Sequence, residues 1–289
     1  MQLRPVARVI TAHRQREGGG FVVRRPFPGH DAAFVDPFLL LDEMGPVVYR
    51  PGEAVGAPDH PHRGFETVTY LLEGSFVHED SAGHRGELGP GDVQWMTAGA
   101  GVVHSEMPSP AVRRDGGRVH GFQIWVNLPA RLKMTNPRYQ DVPAAGIPVA
   151  RAEGVEVRVV AGEALGVKAV IDTHTPINYQ DWRLAPGASA TQPVGADHNA
   201  MVYVFEGALL VGDRRIEDGQ LAVLGGGDAV RLEGAPGTGG RALLLAGVPH
   251  REPVAHYGPF VMNTREELHQ AVQDYQAGRL GRIVRAGQA

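Results

Sequence analysis

The chain has 289 residues, enough by length for about two domains with a buried core in each. Its 43% hydrophobic and 21% charged content suits a globular protein, and a net charge of -4 is too mild for a nucleic-acid-binding or polybasic membrane surface. With no cysteine, disulfides, thiolate metal sites, iron–sulfur clusters and cysteine nucleophiles all fall away, so any metal must be held by nitrogen and oxygen.

No apolar run approaches the ~20 residues that a bilayer span needs. The opening MQLRPVARVITAHRQREGGG lacks the apolar core of a secretory signal, so the expected location is cytoplasmic. Of the 28 basic residues only Lys133 and Lys168 are lysines, a bias read as genomic rather than functional.

In chain order, PFLLLDEM (37–44), ETVTYLLE (66–73), GDVQWMTA (91–98), GFQIWVNL (121–128), EVRVVAG (156–162), KAVIDT (168–173), AMVYVFEG (200–207), QLAVLGG (220–226) and ALLLAG (242–247) read as strands. The 39 glycines and 22 prolines are spread throughout as turn punctuation, which argues for an all-β architecture. Only TREELHQAVQDYQAG (264–278) reads as helix. Thr264 and Glu267 there make a capping box, and Leu268, Val272 and Tyr275 recur at helical spacing.

A weak repeat runs through these elements. YLLEG (70–74) returns as YVFEG (203–207), each followed by a Gly-Asp near the start of another strand, at 91–92 and 227–228. Two copies of one β domain account for it: a first domain at 1–140, a crossing linker at 141–154, a second domain at 155–262, and a helix with tail at 263–289.

PDHPHRGFETVTYLLEG (58–74) places His60 and His62 at the entrance to a strand. Side chains two apart on an extended segment share a side, about 6.5 Å from each other, and such a pair either holds an ion or is solvated at a loop end. Beyond a glycine-rich turn, VVHSEMP (102–108) sets His104 and Glu106 at the same spacing. With both pairs facing inward on adjacent strands of one barrel, three imidazoles and one carboxylate surround a point. That set suits a divalent transition metal, and six-coordination leaves two positions for water, dioxygen or a chelating substrate.

The second copy is a control. QPVGADHN ahead of YVFEG lacks the histidine pair, and VRLEGAPGTGGRALL contains no histidine, so one domain reads as metal-bearing and its sibling as structural. His198 reads as a surface or turn residue. His78 and His84 flank EDSAG, a hairpin tip, and read as solvated; His120 opens the GFQIWVNL strand without an assigned role. His13, His30, His174, His250, His256 and His269 carry no partner spacing. Glu66 shares the parity of His60 and His62 and faces the cavity if the strand runs unbroken past Gly64.

HPHRGFETVTYLLEG, then a glycine-rich turn and VVHSE, resembles the two motifs of the cupin superfamily in the version carried by the pirin family. PFLLLDEMGP (37–46), GFQIWVNLPARLKMTNPRYQ (121–140), VRVVAGEALGVKAVIDTHTP (157–176) and GPFVMNTREELHQAVQDYQAGRLG (258–281) resemble pirin segments too, so the likeness covers nearly the whole chain. One departure is the turn TAGAG, where a proline is frequent. The resemblance implies two stacked antiparallel cupin (jelly-roll) β-barrels with a short C-terminal helix. It also implies one divalent metal in the N-terminal barrel, held at the positions of His60, His62, His104 and Glu106. Iron(II) is the ion the family implies, while manganese, nickel, cobalt, copper and zinc fit the same donors.

The resemblance points in two functional directions. Several bacterial pirin-like proteins resemble quercetin 2,3-dioxygenases, which open a flavonol ring with dioxygen and release carbon monoxide. The expected activity is then that of an oxidoreductase on a small aromatic polyphenol, with Glu106 as the base for the 3-hydroxyl. Flat apolar walls would suit that substrate, and Phe38, Trp95, Phe122 and Trp125 are candidates of which only alternate strand residues qualify; no substrate contact is assigned. The alternative is a non-enzymatic metal-binding regulatory protein acting through a protein partner, or another cupin oxygenase or isomerase with incidental quercetin turnover. Neither direction involves nucleic acid or a membrane.

Overall fold

The structure is a computed structural model that describes residues 1–29 and 33–285; His30 and the end of the tail lie outside these. The chain forms two compact units. One comprises Met1–His13, Pro26–Pro37 and Ala145–Pro249, the other Arg14–Arg25, Phe38–Ala144 and His250–Ala289.

The second of these units carries both histidine motifs. Its larger sheet runs in the order Arg138–Val142, Val93–Thr97, Phe65–Glu73, Gly117–Asn127, Phe38–Tyr49, Phe21–Phe27, His13–Glu17. Its smaller sheet runs Ala57–His62, Val102–Pro108, Phe76–Asp80, Arg85–Leu88. Side chains from the two sheets meet, as in the hydrogen bond from Thr69 to Glu106 and the ring contact between His62 and Trp125, so the sheets close over a shared interior. The C-terminal helix is Arg265–Gln276, with the Thr264–Glu267 capping box formed in both directions. A second helix, Pro110–Asp115, escapes the periodicity reading because six residues are under two turns. Its start is nevertheless written in the sequence: Ser109 accepts from the Val112 amide, and Pro110 occupies the first turn.

The other unit repeats this pairing scheme. Its long strand Asn199–Val211 pairs in its first half with Gln220–Leu224 and Gly240–Gly247, as Phe65–Glu73 pairs with Val93–Thr97 and Gly117–Asn127. YLLEG and YVFEG therefore occupy equivalent strands. The two Gly-Asp pairs do not. Gly91-Asp92 precedes Val93–Thr97, whereas Gly227-Asp228 precedes Ala229–Gly234, which pairs with Ser189–Pro193 as Val102–Pro108 pairs with Ala57–His62.

KAVIDT (168–173) does not form a strand: only Val167–Lys168 pairs, in a two-residue ladder with Glu163–Ala164. The adjacent central strand is instead Ile177–Leu184, INYQDWRL, whose polar letters hide its burial. Gln180 donates to Glu163 O and accepts from Trp182, and Asp181 binds Arg241 through two hydrogen bonds, so these buried polar groups are satisfied. The main core cluster of this unit is apolar, with Val157, Trp182, Val202, Val204, Leu232 and Leu244 among its members. Among the described residues no helix is long and apolar enough to cross a membrane.

Candidate metal centre

His60 and His62 lie on the edge strand Ala57–His62, which tolerates two prolines for local reasons. Pro61 pairs with Val103 at the sheet edge, where one side of the strand makes no ladder bonds. Pro58 sits in a bulge, since Pro58 and Asp59 together oppose the single residue Ser105. The register sets His60 opposite His104 and His62 opposite Val102. On the other flank of the central strand Asp80 stands opposite His104 and His78 opposite Glu106. Directly opposed residues share a face, so His60, His62, His104, Glu106, His78 and Asp80 all project from one side of the sheet.

Three of these converge. His60 Nε2 lies 3.0 Å from His62 Nε2 and 2.9 Å from His104 Nε2. His62 and His104 are buried, and the three ligand atoms lie within 4.8 Å of one another. His60 Nδ1 is 2.7 Å from Pro58 O, and His62 Nδ1 is 3.4 Å from Pro259 O. A carbonyl can only accept, so each Nδ1 carries its ring proton and each Nε2 presents a bare lone pair. Facing lone pairs at this separation repel unless a cation lies among them. Burial, followed by the neighbouring imidazole charge, holds the pKa of both His62 and His104 well below the usual histidine range, which keeps the rings neutral and ready to ligate. The triad thus fits a divalent transition ion of the nitrogen-preferring kind.

Glu106 shares the face but not the cluster of three. Its carboxylate is held from the larger sheet by the Thr69 hydroxyl, whose one proton faces both Glu106 Oε1 at 2.8 Å and Gln123 Oε1 at 2.6 Å, and by Gln123 Nε2, 3.4 Å from Oε2. Those two residues belong to a straight polar row. Asp141, Gln94, Thr69, Gln123 and Asp42 are successive cross-strand partners over five strands. Arg25 closes the row with two 2.6 Å hydrogen bonds to Asp42, yet burial still pushes the Asp42 carboxyl up to about 6.

Glu66 turns the other way. Gly64, at φ +90° with its missing Cβ pointed at Val261 O, resets the alternation between the His62 strand and the next. Glu66 therefore accepts from Thr97 at 2.7 Å, on the opposite face of the larger sheet from Thr69. Of the four aromatic candidates, only Trp125 is in register with the ligand face. It opposes Thr67, and its ring lies 5.2 Å from that of His62. Phe38, Trp95 and Phe122 alternate to the other side. His120 joins a separate ion-pair group, 2.8 Å from Glu43, which Arg24 also binds.

His78 corrects the solvated reading. It is only 1% exposed, its ring packs against that of His104, and Nε2 lies 3.1 Å from the Tyr139 hydroxyl. The hairpin tip begins later than expected: Asp80 caps it by accepting from the Ala82 and His84 amides, leaving His78 inside the strand. His78-x-Asp80 has the same spacing as His104-x-Glu106, which is the sequence signal for it. His84 stacks on Tyr139 and pairs with Asp141 at 2.8 Å.

Behind the triad, Lys133 is buried and donates to Gly64 O, Asn127 Oδ1 and Val261 O at 2.7–3.0 Å. Burial lowers its pKa to about 8. Arg63, next to His62, donates to Ala100 O and to Asp274 on the C-terminal helix. A turn that supports two ligands is thus anchored from both neighbouring segments.

Two cupin domains, one with a histidine triad that can bind a metal, define the molecule as a bicupin. The chain belongs to the pirin family: Pirin matches residues 20–126 and the Pirin C-terminal cupin domain residues 179–281. It is 44% identical over 280 residues to Pirin from Homo sapiens, covering 94% of this chain and 92% of that protein. A Pirin-like protein from Caulobacter vibrioides is 45% identical over 291 residues, with 96% and 100% covered. Among solved structures it resembles a quercetin 2,3-dioxygenase from Acinetobacter baumannii with a TM-score of 0.90, 39% identity, and 98% and 100% of the two chains covered.

Proposed function

We propose that this chain is a metal-dependent dioxygenase that opens the ring of a flavonol such as quercetin and releases carbon monoxide. The observation that carries the reading is the convergence of three imidazoles, two of them buried, with His60 Nε2 about 3 Å from the Nε2 atoms of both His62 and His104. The likeness to a protein named quercetin 2,3-dioxygenase supplies the reaction class. His60, His62 and His104 would hold the ion, iron(II) by family likeness, with Glu106 as the fourth donor. A bound divalent ion supplies a Lewis acid for a phenolate oxygen and the redox capacity that dioxygen chemistry needs.

The remaining work falls to the chain's own groups. Glu106 accepts the proton of the flavonol 3-hydroxyl, and Thr69 and Gln123 hold its carboxylate in place while it does so. Trp125 and Phe65, with ring centroids 4.5 Å apart and both near His62, offer an apolar flank to a flat ring. The polar row from Asp141 to Asp42 offers partners for the ring hydroxyls. Anaerobic purification with metal analysis, followed by quercetin turnover and carbon monoxide detection, tests the reading. Glu106→Gln should keep its metal and lose turnover; full turnover in that variant would remove Glu106 from the proton-accepting role.

A further inference from the structure

Each ligand on the inner face of the small sheet alternates with a residue on its outer face, and the C-terminal segment covers that outer face. Val103, beside His104, packs with Phe260, Met262, Leu268, Ala271 and Leu280. Ser81 Oγ donates to Leu280 O and accepts from the Val103 amide. Arg285 then reaches three strands at once. Its Nη2 and Nη1 donate to Asp59 at 2.6 and 3.1 Å, Nη2 also to Ser105 Oγ at 3.2 Å, and Nε to Glu79 at 2.8 Å. Asp59 precedes His60, Ser105 separates His104 from Glu106, and Glu79 separates His78 from Asp80. Two carboxylates and a hydroxyl from neighbouring strands are bridged by one planar cation suited to the task, while Arg85, 3.0 Å from Glu79, holds that carboxylate from its own hairpin only.

We propose that Arg285 is a positioning residue for the metal centre: it ties the strands bearing His60, His104 and His78 from behind and so fixes the spacing of the imidazoles. This rests on the reading that the triad binds a metal. The position matters because the Ala57–His62 strand is an edge strand with a bulge immediately before His60, so its pairing alone holds that ligand weakly. Ligand spacing then depends on a residue more than 170 positions away in sequence from any ligand.

The test uses Co(II) as probe on the full chain, in the wild type, Arg285→Ala, Arg285→Lys and, as a control, Arg183→Ala, which removes an exposed ion pair in the other unit. Competition with a chromophoric chelator gives affinity, the visible Co(II) spectrum gives coordination geometry, and melting of the metal-free protein reports general stability. Arg285→Ala should bind Co(II) about fivefold more weakly, the upper end for a partly exposed ion pair. Its spectrum should be altered, and its metal-free stability should fall by less than the loss of Co(II) binding energy. Arg285→Lys, a point charge without the fork, should recover part of the affinity, and Arg183→Ala should match wild type. Wild-type affinity and spectrum in Arg285→Ala overturn the proposal, as does an affinity loss matched by an equal loss of metal-free stability. A wild-type chain that takes up no Co(II) overturns the metal reading and this one together; binding by wild type with an unaffected Arg285→Ala overturns this one alone.

Discussion

Lys133 offers the sharpest quantitative test of how the ligand turn is held. Replacing it with Met leaves Gly64 O, Asn127 Oδ1 and Val261 O buried without their donor. At about 2 kcal/mol for each stranded acceptor, the gross loss is roughly 6 kcal/mol. Against this stands the strain of keeping an ammonium out of water. The drop in its pKa from 10.5 to about 8, at about 1.4 kcal/mol per pH unit, corresponds to roughly 3.4 kcal/mol that the substitution removes. Lys133→Met should therefore destabilise the protein by about 2–3 kcal/mol at pH 7, read by urea unfolding with a probe in this unit. The pH dependence is the stricter check. Between about 8 and 10.5 the folded protein has released the Lys133 proton while the unfolded chain still holds it, so wild-type stability rises with pH through that window. The stability gap to Lys133→Met should widen there, by up to about 3 kcal/mol. A gap that stays flat or narrows from pH 7.5 to 10 would refute the reasoning.

Other expectations concern the substrate flank, the carboxylate and the helix. Trp125→Ala, at the ligand-face aromatic, should raise the KM for quercetin about fivefold to tenfold, in line with about 1 kcal/mol for an aromatic contact, while Trp95→Phe on the opposite face leaves KM unchanged. Steady-state kinetics on the two variants decides it. Thr69→Val removes the shorter hydrogen bond to Glu106 and should lower kcat about tenfold with metal content intact, as measured by metal analysis beside turnover. Thr264→Ala breaks the capping box and should cost about 1 kcal/mol in thermal or urea unfolding.

The parts that sequence made legible are those set by local periodicity. Alternation alone placed His60 with His62 and His104 with Glu106 on shared sides, and the cap letters of Thr264 and Glu267 marked the helix start that forms. Composition misled where burial is polar: INYQDWRL is a central strand because its Gln and Asp are satisfied internally, while the more apolar KAVIDT pairs only at Lys168. His78 was misplaced by a hairpin tip drawn two residues too early. Register was beyond reach altogether. The row Asp141–Gln94–Thr69–Gln123–Asp42 exists only once five strands are aligned, and neither Glu106's partners nor Arg285's three contacts have any signal in local spacing.

We propose that a triad-bound ion makes this chain a flavonol-cleaving enzyme. The most direct test is an anaerobically iron(II)-loaded sample given quercetin and then dioxygen, with carbon monoxide measured for wild type and His104→Ala. Wild type should release carbon monoxide in step with quercetin consumed, and the variant none, while also failing to retain iron. Wild-type protein that holds iron yet yields no carbon monoxide, or a variant that yields as much as wild type, would contradict the proposal.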